Sequence, residues 1–276
     1  MRLKKFLLFL GIIILIGMGI LIITIYPFYS FFFTVNSIAE DTKLEVLTGA
    51  GNTGFLITDS AIVVIDTKMG KMGRELADKA IETAGGRKII VINTHFHGDH
   101  SFGNRNFKHC AIYTGGYDTA FARQNFKPED FPTVFIKDSL ILNLGDETLE
   151  MYTLGQGHTF ADLAVYLQKR EILFAGDLVF NRIHPALIRD DGTDLGSWIS
   201  ILEKIPHRWE ISKIIPGHGD PGGIELIHEM KQYFTDMQYA ASHPDSIKVI
   251  KSRYQDWMRM PFMASAKKTV CFIKGE

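Results

Sequence analysis

The segment Thr94-His95-Phe96-His97-Gly98-Asp99-His100 packs three imidazoles and a carboxylate into six consecutive positions, directly after the apolar run KIIVIN at 88–93. Neutral imidazole and carboxylate are good ligands for zinc and similar divalent ions. Left without a partner in a partly buried place, the same groups would be costly. The run before them predicts a short strand, so the loop starts from a rigid sheet end. A tight turn at Gly98 lets His95 and His97 reach one point and Asp99 and His100 another. Two adjacent metal positions fit that geometry.

Three later motifs repeat the device of one His or Asp beside a glycine at a predicted strand end: Gly157-His158-Thr159, Gly176-Asp177 and Gly217-His218-Gly219. Glycine permits close backbone approach in a crowded site, and working loops collect at the ends of rigid elements. Between the motifs, residues 43–66 read as three short strands rich in β-branched residues. Residues 70–84 carry a helical apolar stripe closed by Gly85-Gly86. Ala111–Thr114 reads as a strand and 117–124 as a short helix. The stretch 133–180 is strand-rich, 196–206 is helical, and Lys213–Pro216 is a strand. Residues 223–241 and 245–258 predict two closing helices. This alternation implies two packed sheets with helices outside, an α/β layered sandwich.

The THFHGDH loop and the GHT, GD and PGHG motifs, in that order over about residues 43–220, resemble the metallo-β-lactamase superfamily. The resemblance implies a four-layer αββα sandwich. It implies His95, His97 and His158 as ligands of a first metal, and Asp99, His100 and His218 as ligands of a second. Asp177 takes the place of a carboxylate that bridges both. Several β-lactamases carry cysteine there; the aspartate resembles the glyoxalase-II-like and general hydrolase branch. The expected cofactor is a pair of zinc ions per chain, with iron or manganese as alternatives. The expected function is hydrolysis of an ester, thioester, lactone or lactam bond in a small molecule by a hydroxide shared between the metals, with Asp99 as the catalytic residue orienting it. Alternatives are a β-lactamase proper, an iron-dependent sulfur dioxygenase and a non-catalytic membrane-tethered binding module.

Residues 6–25 contain no charged side chain, and Arg2, Lys4 and Lys5 precede them. About 20 residues of helix span roughly 30 Å, the thickness of a bilayer core. The expectation is an N-terminal transmembrane helix and linker over 1–40 and a hydrolase domain over 41–276. The flanking positive charge places that domain on the periplasmic or extracellular side. The rival reading is a cleaved signal peptide. A net charge of −1 and no long basic run outside the N-terminus argue against nucleic acid as a partner. Cys110 and Cys271 read as two free or structural thiols, with a disulfide between them in an oxidising compartment as the alternative. His184, beside Pro185, reads as a surface histidine, with the substrate entrance as the alternative. Trp198, Ile201, Leu202 and Ile205 have the spacing of a helix packed on the core. His109, His207, His228 and His243 have no supporting motif. Phe262 and Met263 are within sequence reach of the cleft.

Overall fold

The computed structural model describes residues 2–260 and 263–276, and within the first helix the side chains at 9–19, 21–23, 26 and 29. Phe262 lies outside the described residues. The chain forms two compact units, Met1–Thr34 and Val35–Glu276. The first is a single helix, α1 (Arg2–Phe33). Among the described residues no helix is long and apolar enough to cross a membrane, so the fold does not support the transmembrane helix expected at 6–25.

The second unit contains two sheets. The first runs in the order β1 (Asn36–Ala39), β2 (Leu44–Thr48), β3 (Thr53–Ile57), β4 (Ala61–Ile65), β5 (Lys88–Ile92), β6 (Ala111–Gly115), β7 (Val134–Ile136). It is antiparallel up to β4 and parallel from β4 onward. Residues 36–39, expected in the linker, form the edge strand and pair with β2 from Asn36↔Thr48 to Ala39↔Glu45. The second sheet consists of β8 (Ser139–Asn143), β9 (Thr148–Gly155), β10 (Asp162–Leu167), β11 (Ile172–Phe180) and β12 (Lys213–His218), and β11 and β12 are parallel. The helices are α2 (Gly70–Ala84), α3 (Gly98–Ser101), α4 (Thr119–Asn125), α5 (Leu195–Arg208), α6 (Glu225–Ser242), α7 (Ile247–Arg253) and α8 (Ala266–Lys274).

The unbroken apolar sequence of β4, AIVVI, follows from burial on both faces. Ala61, Val63 and Ile65 point into the core between the sheets, beside Leu163, Val165, Phe174 and Ile215 of the second sheet. Ile62 and Val64 point the other way, onto Leu76, Ala77 and Ala80 of α2. On the far side, α5 and α6 cover the second sheet. Trp198 is fully buried there, its ring 4.8 Å from that of Phe234, and its Nε1–H donates to the Leu178 carbonyl at 2.9 Å. The layers are therefore α, β, β, α.

Two differences from the sequence pattern lie at the C-terminus. The helix expected over 245–258 stops at Arg253, because aromatic packing wins over helical propensity. Trp257 stacks on Tyr233 with centroids 4.9 Å apart, and the Tyr254 hydroxyl donates to Asp236 at 2.6 Å. Helix α8 was not foreseen; its start is set by Ser265, whose side chain accepts from Lys268 N.

Replacing Trp198 with alanine removes a fully buried ring and should destabilise the domain by about 3–5 kcal/mol in urea unfolding. Ile81→Ser, at a side chain 59% exposed, should stay within about 0.5 kcal/mol of the parent.

Candidate metal centre

Four pieces of chain meet at one end of the two sheets. The 95–100 loop leaves β5, and Gly98–Ser101 coil into the single turn α3. Residues 157–159 lead into β10, Asp177 lies within β11, and His218 ends β12. All seven sequence-predicted residues converge, in two sets whose candidate ligand atoms lie within 4.8 Å of one another: His95, His97, His158 and Asp177, then Asp99, His100 and His218. The turn of α3 is the divider expected at Gly98.

Asp177 joins the sets. Its Oδ2 is 3.3 Å from His158 Nε2 and 3.8 Å from His95 Nε2. Its Oδ1 is 3.2 Å from His100 Nε2 and 3.4 Å from His218 Nε2. Asp99 Oδ2 completes the second set at 3.4 Å from His218 Nε2. A Cβ on Gly217 would come 2.0 Å from Asp177 Oδ1, so only glycine admits the carboxylate at that point.

The other nitrogen of four of the five rings is occupied, which assigns tautomers. His100 Nδ1–H donates to Asp66 Oδ2 at 2.8 Å, and His218 Nδ1–H donates to the Ala50 carbonyl at 2.8 Å. His97 Nε2–H donates to Asp191 Oδ2 at 3.0 Å. Thr94 Oγ1 donates to Asp66 Oδ2 and so accepts from His95 Nδ1–H at 3.1 Å. His95 Nε2, His97 Nδ1, His100 Nε2 and His218 Nε2 face inward, the last two 3.4 Å apart. His158 Nε2 comes within 3.0 Å of His97 Nδ1. Its Nδ1 has no hydrogen-bond partner among the described residues, and neither do His95 Nε2 or Asp177 Oδ1, all three buried.

Buried polar atoms almost always find partners. Orphaned acceptors beside converging ring nitrogens fit a divalent cation. Five imidazoles and two carboxylates are the donor set expected of zinc or a similar ion. Electrostatics agree. Burial would raise the Asp177 carboxyl, but His218, His100 and His95 hold it well below its usual range. Burial would lower His100, yet Asp177, Asp66 and Asp99 hold it well above its ordinary value. His95 is pushed well down by burial and by His100. The carboxylates thus favour positive charge among the rings.

The model of the metallo-beta-lactamase superfamily matches residues 46–218. The chain belongs to the metallo-beta-lactamase superfamily. Among curated superfamily relatives, a metallo-beta-lactamase type 2 of Bacteroides fragilis is 26% identical over 197 residues, covering 70% of this chain and 78% of that protein. A human acyl-coenzyme A thioesterase is 24% identical over 203 residues, covering 61% of this chain and 72% of the relative. A solved metallo-beta-lactamase from Pontibacter korlensis has a TM-score of 0.64 at 23% identity, covering 72% of this chain and 98% of that one. The DIM-1 metallo-beta-lactamase has a TM-score of 0.61 at 22% identity, covering 72% and 95%. These structures share the fold.

Several residues that build this superfamily site escaped the sequence reading. Asp66 is 2% exposed and accepts from Thr94 N, Thr94 Oγ1 and His100 Nδ1. It sits at φ +61°, a left-handed conformation unusual for an aspartate. Its signal was an acid ending the apolar strand AIVVI. Asp191 carried no signal that separates it from its neighbour Asp190. Asp162 accepts from Thr159 N and Oγ1, and the same hydroxyl lies 2.8 Å from Tyr117 OH. That chain fixes the loop bearing His158. His184, expected at the surface, is 1% exposed and its Nδ1 lies 3.0 Å from Tyr233 OH. The loop at 50–54 is buried. Asn52 ties it to the Pro216 and Gly219 carbonyls. His109, His207, His228 and His243 are exposed, and Cys110 and Cys271 are free thiols.

Burial raises the Asp162 carboxyl from 3.8 to about 7, against the Thr159 donors. Between those values the folded chain holds a proton that the unfolded chain has lost. Asp162 therefore makes stability fall as pH rises from about 4 to about 7. Asp162→Asn should remove that slope, read as the difference between parent and variant in urea midpoints across pH. Asp66→Ala should weaken metal binding about 10–100-fold by freeing His100, measured by competition with a chromogenic chelator.

Proposed function

We propose that this chain is a metal-dependent hydrolase that cleaves an ester, thioester, lactone or lactam bond in a small molecule, with two zinc ions held by His95, His97 and His158 on one side and Asp99, His100 and His218 on the other. The observation that carries the reading is the placement of Asp177, whose two carboxylate oxygens face one set each. A bound divalent pair supplies a nucleophile at neutral pH and Lewis acidity toward a carbonyl oxygen. The chain's own residues set the rest. Asp177 is 5% exposed and Asp99 is 18% exposed, so Asp99 is the acid that a substrate and its attacking water can reach. Burial would raise Asp99, but His100 and His218 hold its carboxyl below the usual range. As a carboxylate it accepts the water's proton and orients the water. His97, 19% exposed, borders the same opening. The partly buried Phe121 and the exposed Phe160, whose rings are 4.8 Å apart, give an apolar surface beside the His158 loop and favour a substrate with an acyl or aromatic portion. The named activities of the thioesterase and lactamase relatives fall within the proposed bond classes.

The membrane-anchored placement, with the domain on the periplasmic or extracellular side, rests on sequence alone: the uncharged run 6–25 behind Arg2, Lys4 and Lys5. Fractionation of the whole chain against one lacking 1–34 decides it, since only the former should sediment with membranes.

Metal analysis of residues 35–276 should give two equivalents of zinc. Hydrolysis of a lactam, lactone and thioester panel should stop on chelation and return with zinc. His95→Ala and Asp99→Ala should lose turnover while keeping the parent's circular dichroism. One equivalent of iron with oxygen uptake, or full activity in either variant, would sink the proposal.

A further inference from the structure

Among the described residues, Lys68 is the one lysine in the set of largest fully buried side chains, 1% exposed. It follows Asp66 in the segment that leaves β4 and has a left-handed φ of +58°. Its Nζ donates to the Leu47 carbonyl at 2.8 Å, to Gly49 at 2.6 Å and to Gly51. Three carbonyls match the three N–H bonds of an ammonium; a neutral amine would leave one unpaired. Burial lowers this ammonium toward about 7, and the Asp99 and Asp66 carboxylates oppose the loss of its proton. None of the metal-ligand motifs includes Lys68.

The Leu47 carbonyl lies at the end of β2 and the Gly49 and Gly51 carbonyls in the turn that joins it to β3, and that turn touches the His100 and His218 side of the centre. Its Ala50 carbonyl accepts from His218 Nδ1. Its Gly51 lies against His100, where a Cβ would come 2.6 Å from ring atoms Cε1 and Nε2. Asn52 N donates to the Gly217 carbonyl at 2.7 Å, beside His218. None of these contacts reaches His95, His97 or His158.

We propose that Lys68 is a positioning residue for the second metal position: its ammonium gathers the 47–51 carbonyls into the turn that aims His218 and seats His100. This rests on the metal-centre reading above. Without the ammonium, three inward carbonyls repel one another and lack donors, so the turn opens and the Ala50 carbonyl leaves His218. The ring can then rotate or change tautomer. The His95, His97 and His158 set keeps its own supports, Thr94 and Asp191, and is untouched.

The test is stepwise zinc binding to residues 35–276 by calorimetry with chelator competition, for the parent and for Lys68→Met. In the parent, two equivalents bind. In Lys68→Met the first should bind within about 3-fold of the parent and the second about 10–100-fold more weakly. A second readout is ¹⁵N NMR of the imidazoles without added metal, where His218 alone should lose its Nδ1–H tautomer signature. Equal weakening at both positions, or unchanged binding with an unchanged His218 signal, overturns the proposal. A parent that binds no zinc overturns the metal-centre reading, and the assignment of Lys68 with it. If Lys68→Met does not fold, Lys68→Gln, which keeps two donors, is held to the same criteria.

Discussion

One carboxylate organises this end of the molecule. Asp177 lies within 3.2–3.8 Å of a nitrogen from each of four imidazoles and is nearly sealed from water. An ion in such surroundings must be compensated by nearby opposite charge and donors, because the solvation it has lost is large. The neighbourhood shows that demand at every level. Glycine stands at 217 because no side chain can share the space with Asp177 Oδ1. The rings are turned so that their remote nitrogens meet Asp66, Ala50, Asp191 and Thr94 while the near nitrogens face inward. The pattern leaves the near nitrogens of both sets grouped around the carboxylate, an arrangement that could hold a cation.

The sandwich delivers these groups from rigid positions. Strand β5 is parallel to both its neighbours and β11 is parallel to β12, and the site-facing ends of all three are buried, so core packing fixes them. Loops leaving them start from points that hardly move, which a cluster of converging ligand atoms requires. The packing of Trp198 on Phe234 and its bond to Leu178 steady β11 at the residue after Asp177. Core and chemistry are therefore coupled through adjacent residues of one strand.

Much of this was legible in the sequence because the informative residues are few and chemically distinct. Clustered histidines and aspartates beside glycines at strand ends form a distinctive pattern, and the five histidines and two aspartates all meet in the structure. Strand positions from β2 to β12 followed from runs of β-branched residues broken by turn formers. What stayed hidden depended on contacts between distant segments. Asp191 and Asp190 are alike in sequence, and only folding puts one of them on His97. His184 looked like a surface residue beside a proline because Tyr233, its partner, lies 49 positions away. The end of α7 was set by stacking of Trp257 on Tyr233, which no local propensity reports. Buried Lys68 was passed over because lysine is ordinarily a surface residue.

The two halves of the centre are supported unequally. His100 leans on Asp66, whose side chain is 3% exposed, while His97 leans on Asp191, whose side chain is 20% exposed. A hydrogen bond shielded from water is stronger and less easily exchanged than one that solvent can replace. The His100 and His218 side, roofed by the 47–52 turn, is thus the fixed wall of the site. The His97 side is held by the 182–195 loop, which also supplies Gly192 beneath the exposed ring of Phe160. Movement of that loop would alter the orientation of His97 and the apolar surface together. A fold that divides rigid and adjustable support in this way keeps one set of candidate ligands fixed while the accessible side is free to vary.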